Sequence, residues 1–343
     1  MGEMPNLLAP PSLDGYSWRP AKLEDAAAIH TLLVDIEAVD QRGWTDTMED
    51  RQRDFEDPAT NYPTDTWLAF TDGGSLAALG WIFAPQVGDQ EYVAFLWLEV
   101  HPSHRGRGLE SYVLNWLEAR SRQILATRSD HLPHILRSHT PDFLSDRIAL
   151  LEQHGFVQAR SFYRMQRDLS QPIPEAALAP GIHLLNWTPE LDAATLHAVN
   201  EAFADHWGFI PVDEESWKLW ITSNSVFRPE LTYLALTEDG ELVGFSVNEV
   251  REEENAALGI RQGWIHELGV CRAWRKQGIA TALICISMQA FKRAGLDYAG
   301  LGVDSENLTG ALRIYERLGF YVVKRFLTYT KLVHTPEGAN TTG

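Results

Sequence analysis

The feature that most constrains this chain is a glycine turn that occurs twice, 170 positions apart: Arg105-Gly106-Arg107-Gly108-Leu109-Glu110 and Arg275-Lys276-Gln277-Gly278-Ile279-Ala280. Each turn follows an apolar, strand-like run and opens a helix-like one. A strand that feeds a helix through such a turn leaves backbone N–H groups converging on one spot, with the positive end of the helix dipole behind them. The turn is therefore a cradle for a phosphate. A second echo lies downstream of each, Leu151-Glu152-Gln153-His154-Gly155-Phe156 against Tyr315-Glu316-Arg317-Leu318-Gly319-Phe320. Self-similarity at this distance reads as one module written twice.

With 343 residues, each half is long enough to bury its own core. The repeat predicts a first domain over 1–170, a linker over 171–181 at Gln171-Pro172-Ile173-Pro174-Glu175, a second domain over 182–334 and a tail over 335–343. Within the first copy, strand and helix signals start at Trp18-Arg19-Pro20. A hairpin follows over Thr66 to Phe83, turning at Thr71-Asp72-Gly73-Gly74; then come a buried strand, Ala94 to Val100, and a helix, Leu109 to Arg122. The second copy repeats this order with Ile182 to Leu185, a hairpin turning at Glu238-Asp239-Gly240-Glu241, a strand over Trp264 to Val270 and a helix over Ile279 to Arg293. A formal charge of -18 argues against a nucleic-acid partner, since nothing would neutralise a run of phosphates. No apolar run approaches a membrane span and no signal peptide begins the sequence, so neither membrane nor export is expected. Two cysteines, Cys271 and Cys285, in no metal or redox spacing fit a reducing cytoplasm.

This order of elements, with Arg-x-x-Gly-x-Ala after a strand ending in Val270, resembles the GNAT superfamily of acetyl-CoA-dependent N-acetyltransferases, in two tandem copies covering nearly the whole chain. The resemblance implies an α/β fold, each copy a mixed, mostly antiparallel sheet flanked by helices. It implies acetyl-CoA as co-substrate, no metal, and a small-molecule amine as acceptor. The pyrophosphate of coenzyme A is expected on the backbone of Arg275, Lys276, Gln277, Gly278, Ile279 and Ala280, with Leu268, Val270 and Asn307 along the pantetheine arm. Gly278 and Ala280 suit this role physically, because small residues let the phosphate approach the backbone. The N–H of Val270 would bind the thioester carbonyl, an oxyanion-type contact. Asn307 reads equally as a residue of a helix N-terminal turn. Tyr315 stands where the family often has a tyrosine that protonates the departing thiolate; a phenol, with a pKa of about 10, is still protonated at neutral pH. A core tyrosine on a helix is the plain alternative.

The general base departs from the family pattern. Many members carry glutamate six residues before the position of Val270, where this sequence has Trp264. Strand alternation puts His266 on the face of residue 264, whereas a bulge would present Glu267 there; a water relay is the third option. In the first copy Glu110 replaces the last small residue of the turn, Leu151 replaces Tyr315 and Phe143 falls near the Asn307 position, while Ala94 and Leu96 offer no titratable group. A carboxylate about 5 Å from a pyrophosphate charge costs roughly 3 kcal/mol at an effective dielectric near 20, and Glu110 would itself be drawn to the helix N-terminus. The first copy is thus expected to be degenerate.

Other groups carry weaker signals. His131, His134 and His139 fit no zinc spacing and read as solvated loop histidines. Glu252-Glu253-Glu254 reads as a solvated turn between strands. Trp207, Trp217 and Trp220 wall the acceptor site or pack the core. With Asp213, Glu214, Glu215 and Glu267 near the expected acceptor side, a cationic acceptor is the expectation. Monomer and homodimer are both compatible with the sequence. The competing function is a non-catalytic acyl-CoA sensor or partner-binding protein, which the missing glutamate at Trp264 favours and Tyr315 opposes.

Overall fold

A computed structural model of the chain describes residues 13–43, 47–57, 60–86, 90–129, 131–307 and 310–336; residues 337–343 of the expected tail lie outside them. The described chain divides into two compact units, one formed by residues up to Ala159 together with those from Leu327 onward, the other by Arg160–Phe326.

The first unit runs β1 (Tyr16–Arg19), α1 (Ala26–Asp40), α2 (Met48–Asp54), α3 (Tyr62–Asp65), β2 (Thr66–Thr71), β3 (Leu76–Phe83), β4 (Tyr92–Val100), α4 (Leu109–Leu125), β5 (His134–Pro141) and α5 (Ser145–Gln153). Its strands lie in the order β1-β2-β3-β4-β5, antiparallel except for the parallel pair β4 and β5. β6 (Val157–Asp168) leaves this unit after three residues. The strand that takes its place beside β5 is the second part of β12 (Tyr321–His334). Leu327 and Tyr329 join the core of α4 and β4, and the Tyr329 hydroxyl donates to Glu152 at 3.0 Å.

The second unit repeats the plan with β7 (Ile182–Asn186), α6 (Asp192–Phe203), α7 (Glu214–Trp217), β8 (Tyr233–Thr237), β9 (Leu242–Glu249), α8 (Glu252–Leu258), β10 (Gln262–Val270), α9 (Ile279–Arg293), β11 (Tyr298–Asp304) and α10 (Ala311–Arg317). The strand order is β7-β8-β9-β10-β11-β6, with β10 and β11 parallel. The segment 171–181 is coil packed on this unit, held where Arg167 Nη2 donates to the Pro172 carbonyl at 2.7 Å.

α9 forms over the span its signals predict, with Gly278 at its N-cap in the left-handed region and Lys292 and Arg293 in its last turn. Ile279, Leu283, Ile284, Met288 and Phe291 are buried, each contributing about 1.5–3 kcal/mol relative to exposure. Gly263 admits the Phe291 ring, because a Cβ there would lie 2.5 Å from it. Beneath α9 a buried polar set, Ser246, Asn248 and Ser287, closes on itself and on the Leu231 carbonyl, which pins the register of β9. No helix among the described residues is long and apolar enough to cross a membrane.

Candidate active site in the second unit

The site begins at an interruption in the sheet. β10 pairs with β11 from Gln262↔Tyr298 to Ile265↔Leu301, after which β10 follows β9 as far as Val270↔Gly244 and β11 follows β6 as far as Asp304↔Phe162. The two strands therefore diverge and leave a cleft. Cys271 N–H donates to the Val243 carbonyl on the β9 side, so by strand alternation the N–H groups of Val270 and Leu268 point the other way, into the cleft. Burial and the nearby Glu201 push the Cys271 thiol up to about 12, which removes it as a nucleophile.

Below the cleft lies the glycine turn. Lys276 and Gly278 take φ of 64° and 81°, matching 70° and 90° at Gly106 and Gly108, so both copies share one loop conformation. The Arg275 side chain is not part of the cradle: it donates to the carbonyls of Val270 (3.2 Å) and Ala202 (2.9 Å) and pairs with Asp205 at 3.0 Å. It ties the turn to the end of α6, as Arg105 ties its turn to Asp40 at the end of α1. In the second unit the N–H groups from Gln277 through Ala280 face no protein acceptor among the described residues. In the first, Gly106 N–H, the counterpart of Lys276 N–H, donates to Glu110 Oε1 at 2.9 Å, so a carboxylate is bound within the turn itself. Glu99, at the position of Gly269, is buried and bound by Arg42 (2.9 Å) and Arg147 (3.5 Å), which together hold it below its ordinary value against burial. Leu151, at the position of Tyr315, is buried core.

Beside the cleft, β10 carries a β-bulge. Ile265 pairs with Asn248 and Glu267 with Val247, leaving His266 as the extra residue. Asn248 and Ile265 face α9, so the bulge returns Glu267 to the opposite face, beside Trp264 and Glu249, without removing His266 from it. Both candidates for the base thus share one face. His266 Nδ1 lies 3.3 Å from Glu249 Oε1, and Nε2 lies 3.9 Å from Glu267 Oε1. Burial and the charge of Glu249 raise the Glu267 carboxyl above its ordinary value, with His266 opposing. Tyr315, 7% exposed on α10, packs against Phe320, and burial with the charge of Glu267 pushes its phenol up. A phenol so shifted stays protonated through the neutral range. Asn307 N–H closes the turn after β11 on the Asp304 carbonyl at 3.1 Å.

Trp264 is buried and carries no acid-base chemistry. Its indole lies under two guanidiniums, Arg164 at 4.4 Å and Arg251 at 5.3 Å from the ring, which are neutralised by Glu254 and Glu249. Gly300 makes the room, since a Cβ there would meet the indole at 2.3 Å. Nothing in the sequence reading pointed to Glu249, Arg251 or Arg164. The available signal for Glu249 was its being the one charge in the run Leu242 to Val250.

Several expectations need correcting. Glu252 to Glu254 is the first turn of α8 rather than a solvated turn: helix geometry brings Glu254 inward to Arg164, leaving Glu252 and Glu253 outside. His134 and His139 are strand residues of β5; His134 is buried with Nε2 3.1 Å from the Ser129 carbonyl, and His139 Nδ1 lies 2.8 Å from the Thr328 hydroxyl. Trp217 is core, donating to Asp192 at 2.7 Å, while Trp207 lies under Arg160. Asp213 caps α7 and Glu214 pairs with Lys218, so both have local partners.

The comparisons with known proteins agree with this geometry. The acetyltransferase (GNAT) family profile matches residues 28–156 and again 194–320. A mycothiol acetyltransferase of Thermobispora bispora is 29% identical over 74% of this chain and 79% of its own length, and one of Streptomyces coelicolor is 30% identical over 68% and 69%. A GCN5-related N-acetyltransferase of Sphaerobacter thermophilus superposes with a TM-score of 0.71 at 26% identity, over 94% of this chain and 97% of that one. A tandem GNAT protein from the clavulanic acid biosynthesis pathway shares the fold at a TM-score of 0.68 and 16% identity, over 92% and 98%. With its domain present twice, this chain belongs to the acetyltransferase (GNAT) family and is an N-acetyltransferase.

Proposed function

We propose that the second unit transfers an acetyl group from acetyl-CoA to a primary amine of a small molecule, by direct attack in a ternary complex. The observation that carries this reading is the contrast between two turns of one conformation, one with the Glu110 carboxylate bound inside it and the other with Ala280 there, below a cleft that leads to His266, Glu267 and Tyr315. Acetyl-CoA supplies the activated acyl group. Gln277, Gly278, Ile279 and Ala280 would bind its pyrophosphate through backbone N–H groups, and Leu268 and Val270 would line its arm, with Asn307 beyond. The Val270 N–H would stabilise charge on the carbonyl oxygen. His266 or Glu267, directly or through water, would take the proton of the amine, and Tyr315 would give one to the sulfur.

The acceptor is expected to be a cation before it loses that proton, and the carboxylate that faces it is Glu267 rather than Asp213 or Glu214. The names of the relatives put a small thiol precursor related to mycothiol first among the amines to test. The test is a screen of amines with acetyl-CoA that follows thiol release, in the native chain and in Gly278→Glu. Amine-dependent release lost in the variant supports the assignment; release by no amine would refute it.

A further inference from the structure

We propose that Glu249 is the positioning residue for His266. On the reading that the second unit acetylates an amine, it holds the imidazole with its proton on Nδ1 and its lone pair on Nε2, turned towards the cleft.

The argument starts from the register of β9. Asn248, fixed beneath α9 by Ser287 and the Leu231 carbonyl, sends the next side chain to the opposite face, opposite Trp264 and beside the bulge. Glu249 is 2% exposed there, yet it is a carboxylate, and a buried charge requires partners. It has two, divided between its oxygens: Arg251 Nε donates to Oε2 at 3.0 Å, and His266 Nδ1 lies 3.3 Å from Oε1. The carboxylate accepts only, so the ring nitrogen facing it is the one that carries hydrogen. A carboxylate behind one ring nitrogen fixes tautomer and orientation at the other. The other is Nε2, 3.9 Å from Glu267 Oε1.

The bulge brings Glu267 to the same face as this ring. In a regular strand one residue would occupy the register position that His266 and Glu267 share, and Glu267 would face α9. The protons balance with these groups and solvent: the bound ammonium first loses one proton to water, which leaves the neutral amine. As the amine nitrogen bonds to the acyl carbon, Nε2 takes the proton that the nitrogen loses. As the carbon–sulfur bond breaks, the sulfur keeps the electron pair and receives the Tyr315 proton, and the imidazolium returns a proton to the tyrosinate through Glu267 or water. Glu249 takes no proton; from the Nδ1 side it stabilises the imidazolium formed when Nε2 is protonated. The charged and titratable groups around the ring are Glu249 from β9, Glu267 from β10 with Tyr315 behind it on α10, and Arg251 through Glu249, with Glu254 and Arg164 beyond Arg251.

The test reads the His266 ring by 15N NMR in the full chain, its signals assigned by their loss in His266→Gln. The expected result is a neutral ring protonated on Nδ1. In Glu249→Gln the ring should lose that preference and give signals of both tautomers, because a side-chain amide can donate to Nδ1 as well as accept from it. In Glu249→Asp, which keeps an accepting carboxylate, the proton should stay on Nδ1. In Glu249→Gln kcat should fall about tenfold or more, with KM for acetyl-CoA unchanged. A native ring protonated on Nε2, or a tautomer indifferent to Glu249→Gln, would overturn the inference. Should the glutamine variant not fold, the native tautomer and the aspartate variant decide it. The ring is read without turnover, so failure there overturns the role of Glu249 alone, whereas failure of every amine as acceptor overturns the reaction assignment.

Discussion

Replacing Ala280 by glutamate should convert the open cradle of the second unit into the filled one of the first. The two loops have matching backbone conformations, so a carboxylate at 280 can reach the Lys276 N–H as Glu110 reaches that of Gly106, at 2.9 Å. It would then stand about 5 Å from the pyrophosphate, where like charges repel by roughly 1 kcal/mol at the dielectric of water and roughly 3 kcal/mol at an effective value near 20. The turn is exposed at Lys276, Gln277 and Gly278, which favours the lower figure; loss of the N–H donors favours the higher. The expected outcome is a coenzyme A affinity weakened by about 5- to 150-fold. Calorimetric titration should show one site per native chain, the weakened site in Ala280→Glu, and a near-native site in Ala280→Gln, which matches the size without the charge. The deficit should shrink in high salt, since exposed charges are screened. If Ala280→Gln weakens binding as much as Ala280→Glu, the effect is steric and the charge argument fails.

Three further outcomes follow from the same geometry. Tyr315→Phe keeps the ring and removes the proton donor, so kcat should drop roughly 10²-fold with coenzyme affinity unchanged; native turnover would show that solvent protonates the sulfur. The folded chain raises the Glu267 carboxyl, so the folded state binds that proton more tightly and loses stability as pH rises from the ordinary value of about 4.3. Denaturant unfolding should therefore find Glu267→Gln more stable than native at pH 8, the difference closing near pH 4; the opposite trend would contradict the shift. Gly300→Ala places a methyl against the indole of Trp264, and overpacking of this kind costs about 1 to 3 kcal/mol. A thermal midpoint equal to native would mean that the indole has room to move.

Local signals were legible in the sequence and long-range ones were not. The turns Thr71-Asp72-Gly73-Gly74 and Glu238-Asp239-Gly240-Glu241 each join the strands they predict, and α9 runs over Ile279–Arg293, because hairpin glycines, caps and terminal charges act within a few residues. The bulge was legible as an alternative only, since a strand shows the same residues with or without it. Glu254 was misread because three consecutive glutamates look solvated until a helix turns one inward to Arg164, 90 positions away. Glu249 was passed over for the same reason: its partner His266 lies on the next strand, across α8. The segment rich in Pro172 and Pro174 has the composition of a linker, yet the units divide within β6 and β12 instead. Nothing local in Val157–Asp168 or Tyr321–His334 says which neighbouring strand will accept them.

The division of β12 has a consequence for how the chain is made. The first unit contains residues from Leu327 onward, so its sheet cannot be finished when residue 159 leaves the ribosome. At about 5 to 20 residues per second, roughly 10 to 35 seconds of synthesis separate that moment from the arrival of the missing strand. Until then β5 waits with an unpaired edge, the kind of template on which chains on neighbouring ribosomes stick to one another. A cut between residues 171 and 181 would yield two fragments, each holding a strand that belongs to the other. Expressed separately they should each be poorly soluble, and expressed together they should reassemble by exchanging those strands.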